Sequence, residues 1–325
     1  MTKAIIDIET DSLNATKIHC IVARSYVSDK IKTWVGEECK NFGEWSKQID
    51  EFIMHNGISF DAPVLNRLTG SNIRFNQIRD TLIESQLYNP LRSGGHSLEA
   101  WGKYLNFNKG DFNDFKEYSK EMLEYCKRDT ELTKKIALEL DKEGEDFSKK
   151  SYKLECEVRS IIDDQEKNGF YFKLREAMIL LAQLQDELNK LEQKAQEEFE
   201  PTKVQLKTKV KYIPFNIASR KQIAERLEQR GWVPKAFTEK GSIIINEEVL
   251  SSIKKPKEVV PFAQMFNRYF LLQKRTGLLK SWINECQIDN RVRGRVLTLR
   301  TITGRMAHAV PNMAQVPSIS SSYGR

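Results

Sequence analysis

Hydrophobic and polar positions follow two regimes along the chain. Over roughly the first 140 residues, short β-branched runs alternate with stretches of helical spacing. Residues 4–8, 18–26 and 31–35 read as strands, because buried strands collect Val, Ile and aromatic side chains. Residues 42–53 then have helical spacing, and 55–61 have loop composition. Residues 62–68 read as a helix, 78–81 as a strand, and 82–88 and 96–104 as helices, the last entered through Ser93-Gly94-Gly95. Residues 119–140 predict a long helix with Met122, Tyr125, Cys126, Leu132, Ile136 and Leu140 along its apolar face. Consecutive strands, followed by strands interleaved with helices, predict an α/β domain with a mixed sheet flanked by helices.

The second regime is mainly helical. The charged, glycine-containing stretch at 142–146 predicts a boundary, and helix resumes over 152–167 until the capping pair Asn168-Gly169. Residues 175–199 carry a narrow stripe of Ala177, Leu180, Leu181, Leu184, Leu188, Leu191 and Ala195, and 262–286 repeat Phe266, Tyr269, Phe270, Leu278 and Trp282. Two such stripes predict a pair of long packed helices. Between them lie a lysine-rich extended segment at 201–214 and a helix over 219–231. Ser219 and Gln222 suit a capping box there, and Gly231 suits its end.

Charge separates the same two regions. Residues 1–145 hold 20 Lys and Arg against 24 Asp and Glu, leaving 32 basic and 21 acidic residues for the remainder of a chain of net charge +7. A basic second half behind a mildly acidic first half suggests that one part holds a polyanion and the other acts on it. Five scattered cysteines without a Cys-x-x-Cys pair favour free thiols in a reducing compartment. No apolar run approaches the ~20 residues of a membrane span. The N-terminus enters a strand directly, so no signal peptide is expected.

Chemistry concentrates on carboxylates. Asp7 and Glu9 stand two apart on a buried strand and so share a face, where two like charges need a cation. Oxygen ligands of this kind favour magnesium or manganese. Asp61 ends the loop at 55–61, and Tyr125 and Asp129 lie one helical turn apart on the face expected to pack inward. Asp7, Glu9, Asp61, Asp129 and Tyr125 form a coherent set for two metal ions that stabilise the attacking and leaving oxygens of a phosphodiester. Tyr125, with a hydroxyl pKa near ~10, would position the water first. Asp80 reads either as an acid supporting the site or as a helix N-cap, and His96 as structural.

In order and spacing, Asp7-x-Glu9, 56–61 and Tyr125-x-x-x-Asp129 resemble the three motifs of the DEDDy 3′–5′ exonucleases. The resemblance implies an RNase H-like (DnaQ-like) fold, metal ligation by Asp7, Glu9, Asp61 and Asp129, and water activation by Tyr125. Asn56 matches a position that contacts substrate or steadies the site. In the basic half, Asn168-Gly169-Phe170, Phe215-Asn216 to Gln222, Gly231-Trp232-Val233-Pro234, Gln273-Lys274-Arg275 and the run 303–317 resemble family A DNA polymerases, nearest the replicative enzymes of short-tailed phages. That implies a helical thumb leading into a palm. Arg305 would contact a phosphate or a minor-groove base edge, and the amides of Asn312 and Gln315 suit groove hydrogen bonding.

The expected organisation is a 3′–5′ exonuclease domain over 1–145, a helical thumb-like DNA-binding region over 146–295 and the start of a palm over 296–325. Ser322-Tyr323-Gly324-Arg325 stops before the family's palm aspartates and fingers, so no polymerase active site is expected here. A C-terminal polymerase part or subunit is the expected partner, with DNA as single-stranded 3′ ends and primer–template duplex. Residues 201–214 are short where the phage enzymes carry a processivity-factor insertion, and that partner is not expected. The location is cytoplasmic, in the host cell if the chain is phage-encoded. The readings set against proofreading are a free-standing DNA or RNA exonuclease and a catalytically idle DNA-binding clamp.

Overall fold

The structure, a computed structural model, describes residues 2–107, 110, 112–205, 210–318 and 320. The terminal run 322–325 and four of the residues in 201–214 lie outside them. The chain divides into two compact units, one of Met1–Gly169 with Gly294–Asn312 and the other of Phe170–Arg293 with Met313–Arg325.

The first unit opens with β1 (Lys3–Thr10), β2 (Ile18–Ser25) and β3 (Ile31–Val35), then α1 (Phe42–Ser46), β4 (Glu51–Met54) and α2 (Asp61–Thr69). It continues through β5 (Ile78–Asp80), α3 (Thr81–Tyr88), α4 (Leu98–Tyr104), α5 (Lys120–Glu143) and α6 (Lys149–Asn168). The strands form one mixed sheet in the order β3-β2-β1-β4-β5. β1, β2 and β3 pair antiparallel, and β4 and β5 join parallel to β1.

Central position explains the composition of β1: both its faces are covered, so Ala4, Ile5, Ile6 and Ile8 are all buried. Ala4, Ile6 and Ile8 join a core with Phe42, Phe52 and Leu65, whereas Ile5 meets Ile53 and Ala137 on the other face. Burying one such side chain contributes roughly 1.5–3 kcal/mol.

One element departs from the expected pattern. The helical spacing read over 42–53 ends at Ser46, and Glu51–Met54 is a strand. Hydrogen bonding to both β1 and β5 overrides the local period there, as four residues are too few to distinguish a buried strand from a buried helix turn. The boundary expected near 145 falls between α5 and α6, inside this contact-defined unit.

The second unit contains β6 (Phe170–Tyr171), α7 (Leu174–Glu198), β7 (Thr202–Gln205), β8 (Val210–Ile213), α8 (Arg220–Glu228), α9 (Glu247–Ser252), α10 (Val260–Glu285) and β9 (Arg291–Val292). The stripes of α7 and α10 pack together as their spacing predicts, Ala177 and Leu184 against Leu272 and Leu279. Phe199, Phe215 and Phe266 cluster with ring centroids 4.6–6.0 Å apart. Ser219 caps α8 by accepting from the Gln222 N–H, but the Gln222 side chain accepts from Asn216 rather than closing the box on Ser219.

The chain then returns to the first unit as β10 (Arg295–Leu297) and β11 (Ala307–Ala309), an antiparallel pair. Arg159 of α6 fastens β10: its guanidinium donates to the Val296 carbonyl at 2.7 Å and to Asp163 at 3.1 Å, while Glu166 accepts from the Val296 N–H at 2.5 Å. No described helix is long and apolar enough to cross a membrane.

Candidate active site

Alternation along β1 sends its odd-numbered side chains toward α5, so Asp7 and Glu9 stand on the face already occupied by Ile5. Their β2 partners are Val22 and Cys20, which pack with Met122 and Cys126 of α5. A bulge between Glu9 and Thr10 ends the regular ladder just past the pair. Asp129, one turn beyond Cys126 on α5, is 3% exposed, and Glu9 is 8% exposed.

Asp61 arrives from another element, as the first residue of α2. Burial, with Asp80 adding repulsion, pushes its pKa up to about 7, against the lowering effect of the nearby backbone N–H groups of Asp61 and Ile8. Asp7 is the electrostatic hub. Burial raises it well above the ordinary carboxylate range, and Asp129, Glu9 and Asp61 raise it further in that order. Strand β1, helix α2 and helix α5 therefore bring together the four carboxylates that the sequence singled out.

Asp80 holds the frame of this cluster. Its Oδ1 accepts from the N–H groups of Asn56 and Leu82, both at 3.0 Å, and its Oδ2 accepts from Ile58 at 3.1 Å. It is thus the N-cap of α3 and also the anchor of the loop that delivers Asp61. Within that loop Asn56 has φ +69, a left-handed conformation that its short polar side chain tolerates. Tyr152 of α6 completes the frame, its hydroxyl accepting the Asp80 N–H at 2.7 Å. His96 bonds to Ser85, which also accepts from Trp101.

Tyr125 differs from its expected inward setting. Asp129 is buried and Tyr125 only half-buried, its ring 5.6 Å from Phe112 and 6.4 Å from Phe115. The 100° step between successive helical residues gives the inward direction to Cys126, and Tyr125 lies at the margin. Cys126 is the site neighbour that sequence reasoning missed, because it read as one more apolar position. Its thiol donates to the Asp7 carbonyl at 3.4 Å and to Asp7 Oδ2 at 3.2 Å, and burial pushes its pKa well up.

The residues expected along a nucleic acid lie elsewhere. Arg305 is exposed at a turn in which Thr301 Oγ1 accepts the Arg305 N–H at 2.9 Å, and Gly304 takes φ +74. Asn312 is half-buried after the cis Val310–Pro311 bond, and Gln315 is exposed in the short turn Met313–Gln315. Arg305 and Asn312 belong to the first unit and Gln315 to the second.

A donor set of buried carboxylates that repel one another fits hard divalent cations, which take oxygen ligands and relieve the repulsion. Ligand atoms of Asp7, Glu9 and Cys126 lie within 4.8 Å of one another.

Comparison with known proteins agrees with the polymerase resemblance of the basic half. The DNA-directed DNA polymerases of Escherichia phage T7 and Enterobacteria phage T3 are each 26% identical to the chain in alignments covering 98% of it. The chain spans 63% of the length of these relatives. Among solved structures, the POL domain of Pol1 from M. smegmatis, in complex with DNA primer-template and dNTP, superposes with a TM-score of 0.75 at 15% identity. That likeness covers 98% of this chain and 53% of the other, and speaks for the fold alone. Residues 185–325 match the DNA polymerase family A model, so that portion of the sequence is similar to family A DNA polymerases.

Proposed function

We propose that the chain is the 3′–5′ proofreading exonuclease part of a family A DNA polymerase, joined to a helical thumb that grips primer–template DNA. The observation that carries this is the convergence of Asp7, Glu9, Asp61 and Asp129 from three elements onto one face of a mixed sheet, which we read as RNase H-like. No single carboxylate would be informative. Three that are buried, Glu9, Asp61 and Asp129, gathered around a half-buried Asp7 are costly unless the site binds cations.

The residues divide the work. Asp7, Glu9, Asp61 and Asp129 would hold two Mg2+ or Mn2+ ions, which supply charge neutralisation and an acidified water when bound. Tyr125, half-buried one turn before Asp129 on α5, would orient the attacking water through its hydroxyl. Asp80 fixes the loop at 56–60, so that Asp61 and the substrate-facing Asn56 keep their places. The excess of eleven positive charges after residue 145 supplies phosphate contacts, with Arg305, Asn312 and Gln315 along the duplex. Nucleotide addition would fall to a C-terminal polymerase part or subunit.

A gel time course on 3′- and 5′-labelled single strands and primer–templates, with magnesium, manganese or chelator, tests the reading. Stepwise, metal-dependent shortening from the 3′ end is expected, abolished by Asp129→Asn with DNA binding retained. Cleavage that survives Asp7→Ala with Glu9→Ala overturns the site assignment, and absence of shortening with either metal favours an idle clamp.

A further inference from the structure

A sulfur atom stands where the proposed cation site needs only oxygen. Glu9 and Asp7 project from β1 toward α5, and the buried Sγ of Cys126 meets Asp7 Oδ2 at 3.2 Å. Sγ and carboxylate oxygens of Asp7 and Glu9 all lie within 4.8 Å of one another, a spacing that one ion can bridge. Magnesium and manganese gain nothing from a thiol, whereas softer Zn2+ and Cd2+ favour thiolate ligands.

We propose that Cys126 joins Asp7 and Glu9 as a ligand for thiophilic divalent cations, making the site a mixed oxygen–sulfur trap that takes Zn2+ or Cd2+ in competition with the hard ions. The inference rests on reading the carboxylate cluster as a cation site. On binding, the Cys126 S–H bond breaks and its proton passes to solvent as the metal–sulfur bond forms; no electron is transferred. The neighbouring thiol of Cys20, opposite Glu9 in the strand register, stands in the same buried cluster.

The probe is Cd2+ alone, titrated into the full chain without DNA while the thiolate-to-cadmium charge-transfer band is recorded in the ultraviolet. One equivalent should raise the band, and cadmium NMR should show a sulfur-bearing environment. Cys126→Ser should remove the band and weaken Cd2+ binding about tenfold or more. Cys126→Ala is the second variant, should serine prove unstable in so apolar a setting. Cys39→Ser and Cys286→Ser should leave the band in place. A band that persists without Cys126, or a cadmium signal of oxygen ligands only, overturns the proposal. Magnesium-dependent 3′ shortening, measured separately on the unsubstituted chain, reports on the nuclease reading: its absence with a Cys126-dependent band refutes that reading and spares this one.

Discussion

Removing the Asp80 side chain should destabilise the first unit strongly for so small a group. Its two oxygens accept three backbone N–H groups, from Asn56, Ile58 and Leu82, and it is 1% exposed. Losing an N-cap costs about 1 kcal/mol. Hydrogen bonds to a charged acceptor contribute roughly 1.5–3 kcal/mol each, and an N–H left buried without an acceptor costs about 1–3 kcal/mol. Burial raises the Asp80 pKa despite these bonds, so the cost of Asp80→Ala, about 3–5 kcal/mol, comes mainly from the N–H groups it leaves without an acceptor. Asp80→Asn separates the two oxygens. An amide with its oxygen at the Oδ1 position still serves Asn56 and Leu82 and opposes its NH2 to the Ile58 N–H, so it should cost about half as much. Urea unfolding followed by circular dichroism measures both, and hydrogen exchange at Asn56 and Ile58 locates the loss. A cost below about 1 kcal/mol for Asp80→Ala, or equal costs for the two variants, would refute the reasoning.

Two further predictions concern charge. Asp61, raised to about 7 in the fold, binds its proton more tightly there than in the unfolded chain, so its contribution to stability is present at acid pH and lost as pH rises through about 7. Between pH about 5.5 and about 8 the metal-free protein should lose about 2 kcal/mol on this account. Thermal melts in chelator should show the decline, Asp61→Asn should lessen it while Asp7 and Glu84, also raised, keep the remainder, and Mg2+ or Mn2+ should oppose it at the alkaline end. Arg159→Ala leaves Asp163 and Glu166 without their shared cation beside β10 and should destabilise by about 3–5 kcal/mol, with Arg159→Met paired with Asp163→Leu recovering most of it in the same denaturation assay.

The sequence was most readable where a local rule and the tertiary environment agreed. β1, β2, β3, α7 and α10 carry long periodic or β-branched runs and formed as their patterns predict. β4 was misread because Phe52, Ile53 and Met54 are buried on both sides, leaving no polar alternation to set a period. In the site, the clustering of Asp7, Glu9, Asp61 and Asp129 followed from spacing and from the likeness to known motifs. Asp80 could be suspected as a cap, but its bonds to Asn56 and Ile58 span 24 and 22 residues, and no local pattern encodes them. Cys126 was hidden because a thiol at a core position looks like any small apolar residue until a carboxylate is found beside it.

The return of the chain at β10 sets an order of events during synthesis. Phe170–Arg293, 124 residues, are translated between α6 and the strand that Arg159 fastens. At ~5–20 residues per second this interval lasts roughly 6 to 25 s. Through it Arg159, Asp163 and Glu166 form a charged cluster still waiting for Val296, while the sheet from β1 to β5 and its carboxylate face are already fully emerged. The nascent first unit therefore has time to pair its strands before its last piece exists, and closing β10 onto α6 acts as a late latch on a body whose chemistry was assembled earlier.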